Sequence, residues 1–80
     1  MPQTVILKGQ AHTFAAHTIP GNVDVITTHP ATGNVRYTLA NAPEVVVPMD
    51  DNKVHTFTVR VVDNTLTITN QTTSGLSCTY

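Results

Sequence analysis

Apolar and polar side chains alternate with a period of two along much of this chain, most clearly from Lys53 to Asn70. Val59 and Val61 share one phase of the first run, and Leu66 and Ile68 share one phase of the second. Thr58, Arg60, Thr67 and Thr69 occupy the opposite phase. Such alternation marks strands with one buried face. Asp63-Asn64 separates the two runs, and both residue types tolerate the left-handed backbone of a type I′ turn. A hairpin closed there sets Val62 against Thr65, Val61 against Leu66, Val59 against Ile68 and Phe57 against Asn70. Its other face pairs Arg60 with Thr67 and Thr58 with Thr69. A slip of one residue would oppose the Val row to the Thr row, so the register is self-consistent.

The rest of the chain is read in the same way. Thr4 to Lys8 is a short apolar run that fits a buried strand, and Ala11 to Thr18 is a weaker strand candidate. Pro20-Gly21 fits the centre of a type II turn. Val23 to Thr28 is a strand, and the loop from His29 to Asn34 is punctuated by Pro and Gly. Val35, Tyr37 and Leu39 alternate inward. Glu44 to Pro48 is a brief strand. Because Pro48 has no N–H to give a ladder, that strand is expected at a sheet edge or to end there. Leu76, Cys78 and Tyr80 form a last apolar row after the polar stretch 71–75. No helical period of useful length is present. Seven or eight short strands with turns at short intervals predict an all-β fold, a small antiparallel β-sandwich or barrel. Eighty residues make one domain, 1–80, with 71–80 as a C-terminal tail or final strand.

Composition narrows the function. Only 11% of residues are charged, against roughly 25% in ordinary domains, and the net charge is −1. The basic residues are Lys8, Arg36, Lys53 and Arg60. They form no basic stripe, so no nucleic-acid partner is expected. No apolar run reaches the ~18 residues of a membrane helix, and no membrane partner is expected. The first residues lack the basic start and long apolar core of a signal peptide. Fifteen threonines and six asparagines supply the polar surface. A surface with so little charge is poorly protected against association, which points to a surface covered in the working state.

Candidate chemistry is sparse. His12, His17, His29 and His55 form no ligand pattern, and His12 and His17 stand at odd separation, on opposite faces of a regular strand. Asp50, Asp51 and Asn52 with Asp63 lack the acidic alternation, Gly and Glu of a calcium loop. Ser74, Ser77 and Cys78 lie near the terminus, a poor scaffold for a nucleophile. No cofactor, metal or catalytic residue is expected, and the chain is not expected to be an enzyme. Asn70-Gln71-Thr72 matches a glycosylation sequon, as chance allows in so Thr-rich a chain.

The terminal row must be buried somewhere, because free ends otherwise fray. It either folds back on its own domain or adds to an exposed sheet edge of a neighbour. The second reading is the expectation, with Val45, Val46 and Val47 as the edge and Leu76, Cys78 and Tyr80 as the inserted row. The function expected is a non-enzymatic structural or assembly protein with protein partners. It would act as an oligomer or on a larger particle, as a virion component such as a phage capsid-decorating or tail-associated protein. The alternative is a recognition module: an adhesin-like or carbohydrate-binding β-sandwich, or a small inhibitor.

Overall fold

The computed structural model describes residues 3–16, 19, 21–40, 42–49, 52–61 and 65–80. Among them lie eight strands and no helix. They are β1 (Gln3–Ile6), β2 (Ala11–Phe14), β3 (Asn22–Thr27), β4 (Gly33–Leu39), β5 (Val45–Pro48), β6 (Thr56–Arg60), β7 (Leu66–Thr72) and β8 (Leu76–Thr79). The first sheet has the order β1-β8-β3-β6 and the second β2-β7-β4-β5, with every pair antiparallel.

Consecutive strands hold matching positions in the two sheets: β1 over β2, β8 over β7, β3 over β4, and β6 over β5. Each such pair is one run of chain that leaves one sheet at a corner and enters the other. Hydrogen bonds between runs continue around the corners. Gly9 N–H donates to the Asn70 carbonyl at 2.9 Å, Thr28 N–H to the Gly75 carbonyl at 3.0 Å, and Ala31 N–H to the Lys53 carbonyl at 3.1 Å. The chain is therefore a four-run antiparallel ribbon folded over on itself, the eight-stranded jelly roll. Of the two architectures expected, the sandwich is the one formed.

The core lies between the sheets. Val23, Val25, Val35, Val59, Val61, Leu66, Ile68, Leu76 and Cys78 are all buried there, each on the inward phase of its run. Tyr37 and Leu39 pack against this core from β4, on the phase read from sequence.

Two expectations are corrected. The hairpin of β6 and β7 does not form: β6 pairs with β3, and β7 lies between β2 and β4 in the other sheet. Val59 stands opposite Val23, while Ile68 stands opposite His12 and Tyr37. The apolar phases are as read, because a strand buries the same side chains whether it lies beside its neighbour or across the core from it. The turn at Asp63-Asn64 lies outside the described residues, as do His17, Asp50 and Asp51. The second correction concerns the tail. β8 is an interior strand of the first sheet, flanked by β1 and β3, so the terminal row folds back on its own domain. Interior sheet positions satisfy both backbone edges of a strand, and a neighbour's edge satisfies only one.

Candidate functional site

Leu76 and Cys78 are fully buried. Burial pushes the Cys78 thiol up to about 11, so it is a weak nucleophile. Tyr80 is half-buried. Its ring meets Phe14 edge-to-face at 5.2 Å, and its hydroxyl lies 3.0 Å from Thr4 Oγ1. The tail row is thus occupied within the fold. The buried serines nearby are also structural: Ser74 Oγ accepts the His29 N–H at 3.1 Å in the β3–β4 corner, and Ser77 bonds to Gln3.

The β5 edge is as expected in place. Val45 and Val46 are each 43% exposed, and Val47 is half-buried against the core. Met49 N–H donates to the Gly33 carbonyl at 2.8 Å. Antiparallel alternation then turns the backbone groups of Val47 and Val45 toward β4, and those of Val46 and Pro48 outward. Pro48 therefore occupies an outward position and removes a donor from the free edge. An added strand would find few N–H groups there.

The larger exposed apolar surface is elsewhere, on the outer face of the first sheet. Val5 is 55% exposed, Leu7 57%, Ile26 40% and Val54 48%. Val5, Ser77, Ile26 and Thr56 form one row across all four strands. Leu7 and Val54 lie just beyond it at either edge, with Gly75 and Thr28 between. Neither row contains a charged residue. The apolar run Thr4 to Lys8 has the pattern of a strand buried on both faces, yet only Ile6 is buried and Val5 and Leu7 are open. The available signal was in β3: once Val23, Val25 and Thr27 point inward, Ile26 is an aliphatic side chain in the solvent phase.

The outer face of the second sheet is polar. Thr13, Thr67 and Thr38 form a row, with the Thr13 and Thr67 hydroxyls 3.1 Å apart. Arg36 donates to Gln71 Oε1 at 2.6 Å and to Glu44 Oε1 at 2.8 Å. No group of three or more His, Cys, Asp or Glu that could hold a metal, and no cavity, occurs among the described residues. His12 packs edge-to-face on Phe14 at 4.5 Å, and His29 Nδ1 lies 3.2 Å from Thr28 Oγ1. His55 is half-buried, and its Nε2 has no hydrogen-bond partner among the described residues.

Asn70, the sequon residue, is fully buried. Its Nδ2 donates to the Ile6 carbonyl at 3.0 Å and the Ser74 carbonyl at 2.8 Å, while its Oδ1 accepts the Thr72 N–H at 3.0 Å. In the folded chain this amide is closed to modification. Comparison with protein-family models, curated proteins and solved structures returns no match.

Proposed function

We propose that this chain is a non-enzymatic structural or assembly protein that works as an oligomer or on a larger particle. Its most concrete form is a virion component, such as a phage capsid-decorating or tail-associated protein. One observation carries the reading: four exposed aliphatic side chains on or bordering the outer face of the first sheet, with no charge in their two rows. Apolar area left open on a small domain is favourable to cover, and little charge opposes contact. The jelly roll supports the reading by analogy only, since viral capsid domains use it and so do lectins. The recognition alternative has that analogy alone. Its sugar-stacking version needs open aromatic faces, yet Phe14 is buried and Tyr37, Phe57 and Tyr80 pack on the core.

The experiment is mass spectrometry of particles purified from the source of this chain, with inspection of the neighbouring genes. A fixed copy number per particle, beside capsid or tail genes, is the expected result. A chain absent from particles and encoded beside a glycoside hydrolase or secreted partner overturns the reading.

A further inference from the structure

Asn70 and Thr72, the residues by which a sequon is read, stand two apart on β7. Side chains at that spacing on a strand share a face, so a sequon laid on a strand is open or shut as a whole. Here it is shut, because both residues are buried. Both Nδ2 hydrogens of Asn70 are in use, one on the Ile6 carbonyl and one on the Ser74 carbonyl. Thr72 Oγ1 lies 2.6 Å from Asn70 Oδ1 and 2.8 Å from the Ser74 carbonyl. The backbone is held as well. The Asn70 carbonyl accepts the Gly9 N–H at 2.9 Å, and the Asn70 N–H donates to the Gln10 carbonyl at 2.8 Å.

We propose that Asn70 is a modification site of the unfolded chain alone, and that an N-linked glycan there and the native fold exclude each other. The transfer joins Nδ2 to the anomeric carbon of a lipid-linked oligosaccharide diphosphate. The bond from that carbon to the diphosphate oxygen breaks, the lipid diphosphate leaves, and Nδ2 gives up one hydrogen as a proton. The product amide has one N–H left for two carbonyls. One buried carbonyl then loses its donor, and a sugar ring must occupy the space beside it. Among the described residues no cavity is present to take a ring. Nor is there a way out: β7 lies between β2 and β4, and Asn70 is on its inward phase. With the glycan in place, the β1–β2 and β7–β8 corners cannot close on each other.

Topology leaves the site open while the chain folds. The contact that shuts the sequon joins Ile6 to Asn70, 64 residues apart in sequence. Contacts of that separation wait on loop closure, so Asn70 and Thr72 stay accessible until the fold is assembled. The sequon is therefore silent where no oligosaccharide transferase meets the chain, and a block on folding where one meets it first. This goes beyond the assembly reading and does not rest on it.

The test is expression of the full chain behind a cleavable signal peptide in a yeast secretory pathway. A gel shift removed by an endoglycosidase reports the glycan, and limited proteolysis reports the fold. Glycosylated molecules should be cleaved about tenfold or more faster than bare molecules of the same chain. The glycosylated chain is then purified, trimmed by the endoglycosidase to a single sugar, and refolded from urea beside bare chain made without the transferase. The trimmed chain should show no cooperative melting transition. Equal protease resistance with and without glycan, or a trimmed chain that melts like the bare one, overturns the proposal. Should the parent chain emerge without glycan, Val61→Asp decides, because that buried carboxyl keeps the chain unfolded. Glycan on that variant alone shows that folding shuts the site, as proposed. An unfolded Val61→Asp chain that stays bare shows that the sequon is not read even when open, and the proposal falls.

Discussion

Asn70 shows how much of this small domain can rest on one polar side chain. Its amide holds the β1–β2 corner and the β7–β8 corner together, through Ile6 on one side and Ser74 and Thr72 on the other. Asn70→Ala leaves the Ile6 carbonyl and the Thr72 N–H without this partner, while the Ser74 carbonyl keeps the Thr72 hydroxyl at 2.8 Å. At about 1–3 kcal/mol for each unsatisfied buried group, the loss should be about 2 kcal/mol or more. For a domain this size that lowers the melting temperature by about 10 °C or more, read by calorimetry. A change below about 3 °C would show that water replaces the amide at little cost. Gly33 is constrained by different means. Its φ is +109°, and a Cβ there would run into the Gln71 backbone, so the corner admits no side chain. Cys78 sets a pH dependence. Its folded value of about 11 stands above the ordinary 9.0, so the thiol's contribution is whole below pH 9.0 and is lost as pH rises toward 11. Urea midpoints measured across that window should fall in the parent chain. The part of the fall due to the thiol should vanish in Cys78→Ala.

At the scale of the strand, the phase of alternation decides tolerance. Val61 is 1% exposed and its N–H donates to the Gly21 carbonyl at 2.8 Å. Val61→Asp buries an unpaired carboxyl, costing several kcal/mol, and should abolish the cooperative transition. Thr67 lies on the outer face of β7, so Thr67→Asp should cost about 1 kcal/mol or less in the same urea titration. Similar losses from the two variants would contradict the inward and outward phases. β8 makes a sharper case. It is the strand both β1 and β3 need as a neighbour, and it carries the buried Leu76 and Cys78. A chain ending after Gly75 should lose its folded state altogether, seen as an unfolded circular dichroism spectrum. A truncated chain that kept its melting temperature would show that the first sheet closes without β8.

Across the whole molecule, distant segments meet. Gln3 pairs with Thr79, so the first and last strands are neighbours, and neither sheet joins strands consecutive in sequence except β4 and β5. Loop-closure entropy must be met before such contacts form, which makes folding slow. Refolding from urea should take about milliseconds to seconds in stopped-flow, as for other sandwiches; completion within microseconds would contradict this topology. Electrostatics contributes little. The Arg36–Glu44 pair is at the surface, where such pairs are worth about 1 kcal/mol or less.

What the sequence determined by itself was the content of each strand and the side it buries. Val59, Val61, Leu66 and Ile68 are core, and Thr58, Thr67 and Thr69 face away from it, because alternation fixes the facing of side chains directly. The edge position of Val45–Pro48 was legible for a similar reason: a proline at a ladder position leaves few alternatives. Strand order was not legible. Val61 and Leu66 would share an apolar side as hairpin partners or as strands facing each other across the core, so periodicity cannot separate the two. Tertiary structure made that choice through the corners, where Asn70 joins segments 64 residues apart and Gly33 lets one run of chain pass against another. It also decided that Leu76 and Cys78 lie inside while Val5, Leu7 and Ile26 remain open. Alternation selects the side a strand buries, whereas the strand it pairs with is a property of contacts far apart in the chain.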